Sequence, residues 1–95
     1  MTSEPTVKNN VDEQRYELLV DGNVIGLADY QLVGDVATFP HFEVDPEHQG
    51  GGMAGRLARF ALDDCRAQSL KVRPVCPYLV TYMRRHPEDN DLLAE

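Results

Sequence analysis

Three consecutive glycines, Gly50-Gly51-Gly52, constrain this 95-residue chain more than any other feature. They stand between a run with strand character, Phe42-Glu43-Val44, and an amphipathic run that opens at Met53. Glycine adds no packing and loses the most backbone entropy on ordering, so three in a row do not serve a core. They suit a place where the backbone bends sharply and a ligand comes close to its N–H groups. A helix opening directly behind them supplies unpaired amides and the positive end of its dipole, which together favour an anion. The reading is a phosphate-bearing ligand held at Gly50–Ala54; the competing reading is a plain flexible turn.

The flanking sequence supplies the frame. Residues 1–13 mix Pro, Ser, Asn and acid without periodicity and are expected to form a flexible lead-in, leaving 14–95 as a single domain. From Arg15, the alternation of Tyr16, Leu18 and Val20 with Glu17 and Leu19 predicts a half-buried strand. Asp21-Gly22-Asn23 signals a hairpin. A second strand follows over Val24–Val33, with Val24, Ala28, Tyr30 and Leu32 on one face. Gly34-Asp35 turns the chain into a third strand, Val36–Val44. Its alternation puts Ala37, Phe39, His41 and Glu43 on one face and Thr38, Pro40, Phe42 and Val44 on the other. Pro40 lacks a ladder donor, which predicts a bulge or a local end of pairing.

Beyond the glycines, Ala54, Leu57, Ala58, Ala61, Leu62 and Cys65 repeat at helical spacing as one apolar stripe. Leu70–Cys76 is short and β-branched, a strand lying parallel to the third through the helical crossover. Tyr78, Leu79, Tyr82, Met83 and His86 form a second helical stripe, and Pro87 stops it. The order is β-β-β-α-β-α: an α+β fold in which an antiparallel meander leads into a β-α-β crossover and a C-terminal helix.

A net charge of −7 argues against nucleic acid or an anionic membrane surface as the partner. The polar start has no signal-peptide pattern, and no stretch approaches the roughly 18 apolar residues of a membrane span. Cys65 and Cys76 make neither a disulfide framework nor a zinc motif, so the expectation is a reduced cytoplasm and no metal. Charge is nonetheless uneven. Seven of the nine Lys and Arg residues follow the glycine turn: Arg56, Arg59, Arg66, Lys71, Arg73, Arg84 and Arg85. A locally basic half suits an anionic small ligand, although solvated helix faces explain several of these residues equally well.

Read literally, Gly50-Gly51-Gly52-Met53-Ala54-Gly55 satisfies the G-x-G-x-x-G dinucleotide fingerprint. That fingerprint needs a tight turn directly after a strand of a parallel sheet, and an acid near the end of the next strand. Here Asp45–Gln49 intervene, the preceding strands are hairpins, and the next strand ends in Cys76-Pro77. A Walker A loop fails because no Gly-Lys-Ser/Thr occurs. Gln49-Gly50-Gly51-Gly52-Met53-Ala54 instead resembles the Q/R-x-x-G-x-G/A loop of the GNAT superfamily of acetyl-CoA-dependent N-acetyltransferases. His41-Phe42-Glu43-Val44, Cys76-Pro77-Tyr78 and Arg84-Arg85-His86-Pro87 extend the likeness to the small, minimal branch of that superfamily, over roughly residues 15–93. Phe42 stands where that branch commonly has Thr. The N-terminal strand and helices that build the acceptor site in full-length relatives are missing from this reading.

The resemblance implies an enzyme that moves an acetyl group from acetyl-CoA to an amine, small molecule or protein. A coenzyme A or acyl-CoA binding module without turnover is the alternative. It further implies that the amides of Gly50, Gly51 and Gly52, with Met53 and Ala54 opening the helix, hold the coenzyme's pyrophosphate. Gln49 would add a hydrogen bond, Val44 would pair its backbone with the pantetheine arm, and Arg84 and Arg85 would reach the phosphates. Transfer to an amine needs a base and a proton for the leaving thiolate. His41 or Glu43 is the candidate base, with a structural histidine as the other reading, and Tyr82 is the candidate acid, with plain packing as its other reading. Cys65 extends the apolar stripe and reads as core. Cys76, ahead of a helix N-terminus that would stabilise its thiolate, reads three ways: acetyl-cysteine nucleophile, pocket-lining thiol, or buried small hydrophobe. The chain is expected to be a monomer, since its first strand is short and bordered by charge.

Overall fold

The computed structural model describes residues 4–94. Five strands form one sheet in sequence order: β1 (Thr6–Asn10), β2 (Arg15–Val20), β3 (Asn23–Val33), β4 (Val36–Val44) and β5 (Lys71–Pro74). The first four pair antiparallel, and β5 lies parallel to β4 through the crossover helix α1 (Met53–Ala67). The second helix, α2 (Pro77–Arg84), follows β5, and a 3-10 turn spans Pro87–Leu92. The meander, crossover and final helix are those that the periodicity predicts.

The lead-in expected over residues 1–13 is corrected in its middle, because Thr6–Asn10 pairs with Arg15–Leu19 as a full edge strand. Its signal is weak in TVKNN, where only Val7 is apolar, and polar bonds hold it instead. The Tyr30 hydroxyl donates to Asn9 Oδ1 at 2.9 Å, and the Asn9 amide reaches Asp64 on α1 at 3.4 Å. So a strand does precede the meander. Residues 1–3 lie outside the described residues.

Both helices pack on one face of the sheet. Leu57, Ala58, Ala61, Leu62 and Cys65 of α1 are buried against Tyr16, Leu18, Ala28, Tyr30 and Phe39, with Leu79 and Met83 of α2. The α1 stripe is thus the buried one, and Cys65 is a core residue whose thiol burial pushes up to about 11. On β3, two residues of the expected inner face fail: Val24 and Leu32 are exposed. A bulge between Leu18 and Leu19 leaves Ile25 as the extra residue, so Ile25 is buried in place of Val24.

A second bulge matters more. Tyr30 of β3 stands opposite two residues of β4, Phe39 and Pro40, because Asp29 pairs with His41 and Gln31 with Thr38. The extra residue reverses the alternation. Ala37 and Phe39 point into the core, but so does Phe42, while His41 and Glu43 face the open side of the sheet. The single face predicted for Ala37, Phe39, His41 and Glu43 is therefore split at Pro40.

Part of the basic half is also spoken for. Asp89 in the 3-10 turn is 2% exposed and accepts two bonds of 2.8 Å from the Arg59 guanidinium and one of 3.1 Å from Arg66. Arg66 also pairs with Asp91, and Lys71 Nζ donates to the Asp91 carbonyl at 2.6 Å. Arg59, Arg66 and Lys71 clasp the acidic C-terminal segment, so three of the seven basic residues after the glycine turn hold the fold together. Ala94 then donates to Val72 at 2.8 Å, covering the outer edge of β5.

Candidate active site

The site begins where β4 and β5 part. Their parallel register runs from Val36–Lys71 to Phe39–Pro74 and stops there. The Phe39 carbonyl accepts the amides of both Val75 at 3.1 Å and Cys76 at 3.0 Å, which closes the ladder. Pro40 and Pro74 have no N–H to extend it. β4 nevertheless continues to Val44, paired only with β3. Over Pro40–Val44 its other edge carries no strand among the described residues.

A cleft of about 410 Å³ lies along that edge, lined by Phe42, Glu43, Val44, Gln49, Gly50, Ala54 and Tyr78. At one end stands the glycine turn. Gly50, Gly51 and Gly52 have φ of 93°, 61° and 76°, all in the left-handed region that L side chains resist. Gly52 is the N-cap of α1 and has no side chain to cap it. The amides of Gly51, Gly52, Ala54 and Gly55 have no acceptor among the described residues, while Met53 and Arg56 bond back to Gly50 and Gly52. Free amides and a helix dipole converge here, the chemistry of an anion site. Three glycines are needed because three successive residues take positive φ.

Gln49 does something that sequence did not suggest. Its side-chain amide donates to the Val44 carbonyl at 3.1 Å, tying the start of the turn to the end of β4. Met53 packs against the core, and Ala54 lines the cleft. Arg84 and Arg85 part company. Arg85 lies near enough to Tyr78 to oppose the burial that pushes the phenol's pKa up, whereas Arg84 lines a separate hollow with Pro74, Val80, Met83, Asn90 and Leu93.

The proton-handling candidates stand on both sides of β4. His41 Nε2 and Glu43 Oε1 are 2.8 Å apart on the open face, with side chains 52% and 60% exposed. The helix side carries an aromatic ladder: Phe39–Phe42 at 6.0 Å, Phe42–Tyr78 at 5.6 Å, Tyr78–Tyr82 at 6.2 Å, and Tyr82 stacked on His86 at 4.0 Å. Burial raises the Tyr82 phenol's pKa, so it keeps its proton at neutral pH. Cys76 is the N-cap residue of α2 with Pro77 in the first turn, 7% exposed and reduced, and lies apart from the main core cluster.

Sequence reasoning missed Tyr78. It falls on the helical stripe with Leu79, Tyr82 and Met83, yet it is 37% exposed and forms a wall of the cleft. An aromatic directly after a Cys-Pro helix start was the available signal. Phe42 was missed for the reason given above: the bulge, invisible in the alternation, turns it inward.

Residues 15–92 match the family model described as GCN5-related N-acetyl-transferase, and the chain belongs to that family. Its fold is similar to that of a GCN5-like Staphylococcus aureus protein, with a TM-score of 0.72 at 18% identity over 94% of this chain and 87% of that one. It also resembles the ribosomal-protein-S18-alanine N-acetyltransferase from Escherichia coli (TM-score 0.58, 25% identity, 61% of this chain and 38% of that one). A third likeness is N-acetylglutamate synthase from Neisseria gonorrhoeae, solved with coenzyme A and N-acetyl-glutamate (TM-score 0.54, 26% identity, 62% of this chain). The chain spans only 38% of the length of the Escherichia coli enzyme and 15% of the Neisseria one. No curated protein matches it.

Proposed function

We propose that this chain is an N-acetyltransferase that takes an acetyl group from acetyl-CoA and delivers it to an amine. One observation carries the reading: the bare edge of β4 forms one side of a cleft that ends on the free amides of the Gly50–Ala54 turn. A ligand with an extended, amide-bearing arm and a diphosphate fits both features together. The donor set is neutral and amide-rich, which suits a phosphate better than a cation or an apolar tail.

In this reading Gly50, Gly51, Gly52 and Ala54 bind the diphosphate by backbone amides, and Arg85, on the Tyr78 side, adds charge. The edge of β4 from Phe42 to Val44 orients the arm, with Gln49 holding the strand end against the turn. His41 or Glu43 takes the proton from the amine on the open face. Tyr82 gives its proton to the thiolate released when the carbon–sulfur bond breaks and the carbon–nitrogen bond forms. Base and acid then act from opposite sides of β4. Cys76 stands where the strands part, and a transient acetyl-cysteine there is a second route to the same product.

The alternative is a coenzyme A or acyl-CoA binding module without turnover. It is favoured by the open face, because no element among the described residues covers His41 and Glu43 to wall in an acceptor. Release of free thiol from acetyl-CoA across an amine panel, run beside calorimetric coenzyme A binding, separates the two. Binding with no thiol release from any amine supports the module.

We further place the five-stranded sheet, β1 included, and its two helices in one catalytic domain, in the cytoplasm, with small-molecule coenzyme and amine as partners rather than nucleic acid or membrane. Two free cysteines and the charge of −7 support this, and among the described residues no helix is long and apolar enough to cross a membrane. The chain is read as a monomer; a concentration-independent dimer mass in light scattering would overturn that.

A further inference from the structure

We propose that Tyr78 is a coenzyme-binding residue of this chain, whose hydroxyl donates a hydrogen bond to a phosphate oxygen held at the Gly50–Ala54 turn. The assignment rests on the acetyl-CoA reading above and adds to it a donor outside the glycine loop.

The geometry is specific. Tyr78 enters the cleft from the first turn of α2, and its ring lies against Phe42 with centroids 5.6 Å apart. Phe42 is in turn seated on the buried Phe39, so the ring is fixed from below. The hydroxyl then ends over the first turn of α1, 3.9 Å from the point where a Cβ on Gly55 would stand. It therefore sits beside the same stretch of helix whose opening amides lack acceptors. No hydrogen-bond partner for this hydroxyl occurs among the described residues, whereas the hydroxyls of Tyr16 and Tyr30 donate to Asp64 and Asn9. A phenol that retains its proton is a good donor to an anionic oxygen, and bonds to charged acceptors are the strong ones. Tyr82 does not compete for the role. Its ring is stacked on His86, one step further along the aromatic ladder than Tyr78, where the released thiolate rather than the phosphate is its partner in the reading above.

Gly55 borders the hydroxyl from the helix side. Its backbone is ordinary helix and needs no positive φ. A Cβ there would be in ordinary contact with the Tyr78 hydroxyl at 3.9 Å and Tyr82 Cε2 at 4.0 Å, so a longer side chain is what would crowd the hydroxyl.

The test measures the affinity of coenzyme A by calorimetry, and that of pantetheine, the same arm without phosphates, by displacement of a fluorescent coenzyme A. Tyr78→Phe keeps the ring and removes the donor. It should weaken coenzyme A roughly tenfold, leave pantetheine unchanged, and leave the unliganded melting temperature unchanged. Gly55→Leu, which fills the space under the hydroxyl, should reproduce the selective loss. Equal weakening of both ligands by Tyr78→Phe would assign the hydroxyl to the arm and overturn the proposal. So would coenzyme A affinity that does not change. A wild-type protein that binds no coenzyme A at all removes the acetyl-CoA reading itself, a result distinct from either of these.

Discussion

Arg59 grips the carboxylate of Asp89 with two hydrogen bonds of 2.8 Å each, across thirty residues of sequence. The bond to Arg59, with help from Arg66, holds the Asp89 carboxyl below its ordinary range against the opposing effect of burial. Removing Arg59 leaves the buried carboxylate with only the 3.1 Å bond from Arg66 to compensate its charge. We therefore expect Arg59→Ala to destabilise the protein by about 3 kcal/mol, read as a lower urea midpoint at neutral pH. Because the folded carboxyl is depressed, its stabilisation is present above the unfolded value of about 3.9 and is lost as pH falls through the folded one. Acid unfolding below about pH 4 should accordingly be shallower in Asp89→Asn, which starts from a lower plateau. An acid limb of unchanged steepness would mean that other carboxylates carry it.

Gly52→Val tests the anion turn. The residue has φ 76°, and a Cβ there meets nothing within 4 Å, so the cost is conformational and confined to the turn. A β-branched residue resists that φ and should remodel the loop. The wild type should melt higher in acetyl-CoA, the variant should not, and NAD should shift neither. Equal upshifts in both proteins would remove the turn from the binding site, and a strong NAD effect would restore the dinucleotide reading.

Gly26 offers a test of the strand rather than the turn. A Cβ at this position would stand 3.0 Å from the Glu43 carbonyl oxygen, 3.2 Å from Val44 Cγ2 and 3.4 Å from Leu18 Cδ2. Gly26→Ala must push the end of β4 outward, along the edge that lines the cleft. The expected outcome is a loss of about 1–2 kcal/mol and a weaker acetyl-CoA upshift. A variant that melts lower but binds normally would show that the edge of β4 tolerates the shift.

For Cys76 the measurement is intact mass after incubation with acetyl-CoA and no acceptor, with peptide mapping. A single acetyl group on Cys76, absent from Cys76→Ala and from His41→Ala, supports the covalent route. Normal turnover by Cys76→Ala ends it and leaves direct transfer with His41 or Glu43 as base.

How far these features were legible in the sequence differs element by element. Asp21-Gly22-Asn23 and Gly34-Asp35 turn the chain where expected, and the α1 stripe is buried from Leu57 to Cys65 with only Ala54 left at the cleft, since period and turn chemistry are local properties. The glycine turn was legible for the same reason. The edge strand β1 was not, because its stability comes from Asn9 bonding Tyr30 and Asp64, and long-range polar bonds leave no periodic mark. The reversal at Phe39–Pro40 was half legible: Pro40 announced an irregularity, but a proline cannot say whether one residue or two will face the neighbouring strand. That count decided where His41, Glu43 and Phe42 point. Arg59 and Arg66 looked like ligand-binding charge because their partners, Asp89 and Asp91, lie a whole strand and helix away.

The two prolines at the end of the parallel ladder have a kinetic consequence. With Pro40 on β4 and Pro74 on β5, the strands cannot zip together beyond Phe39, so the cleft stands open before anything enters it. Association should then be a single step. Stopped-flow traces with fluorescent coenzyme A should be single exponentials whose rate rises linearly with concentration and never reaches a plateau set by an opening motion.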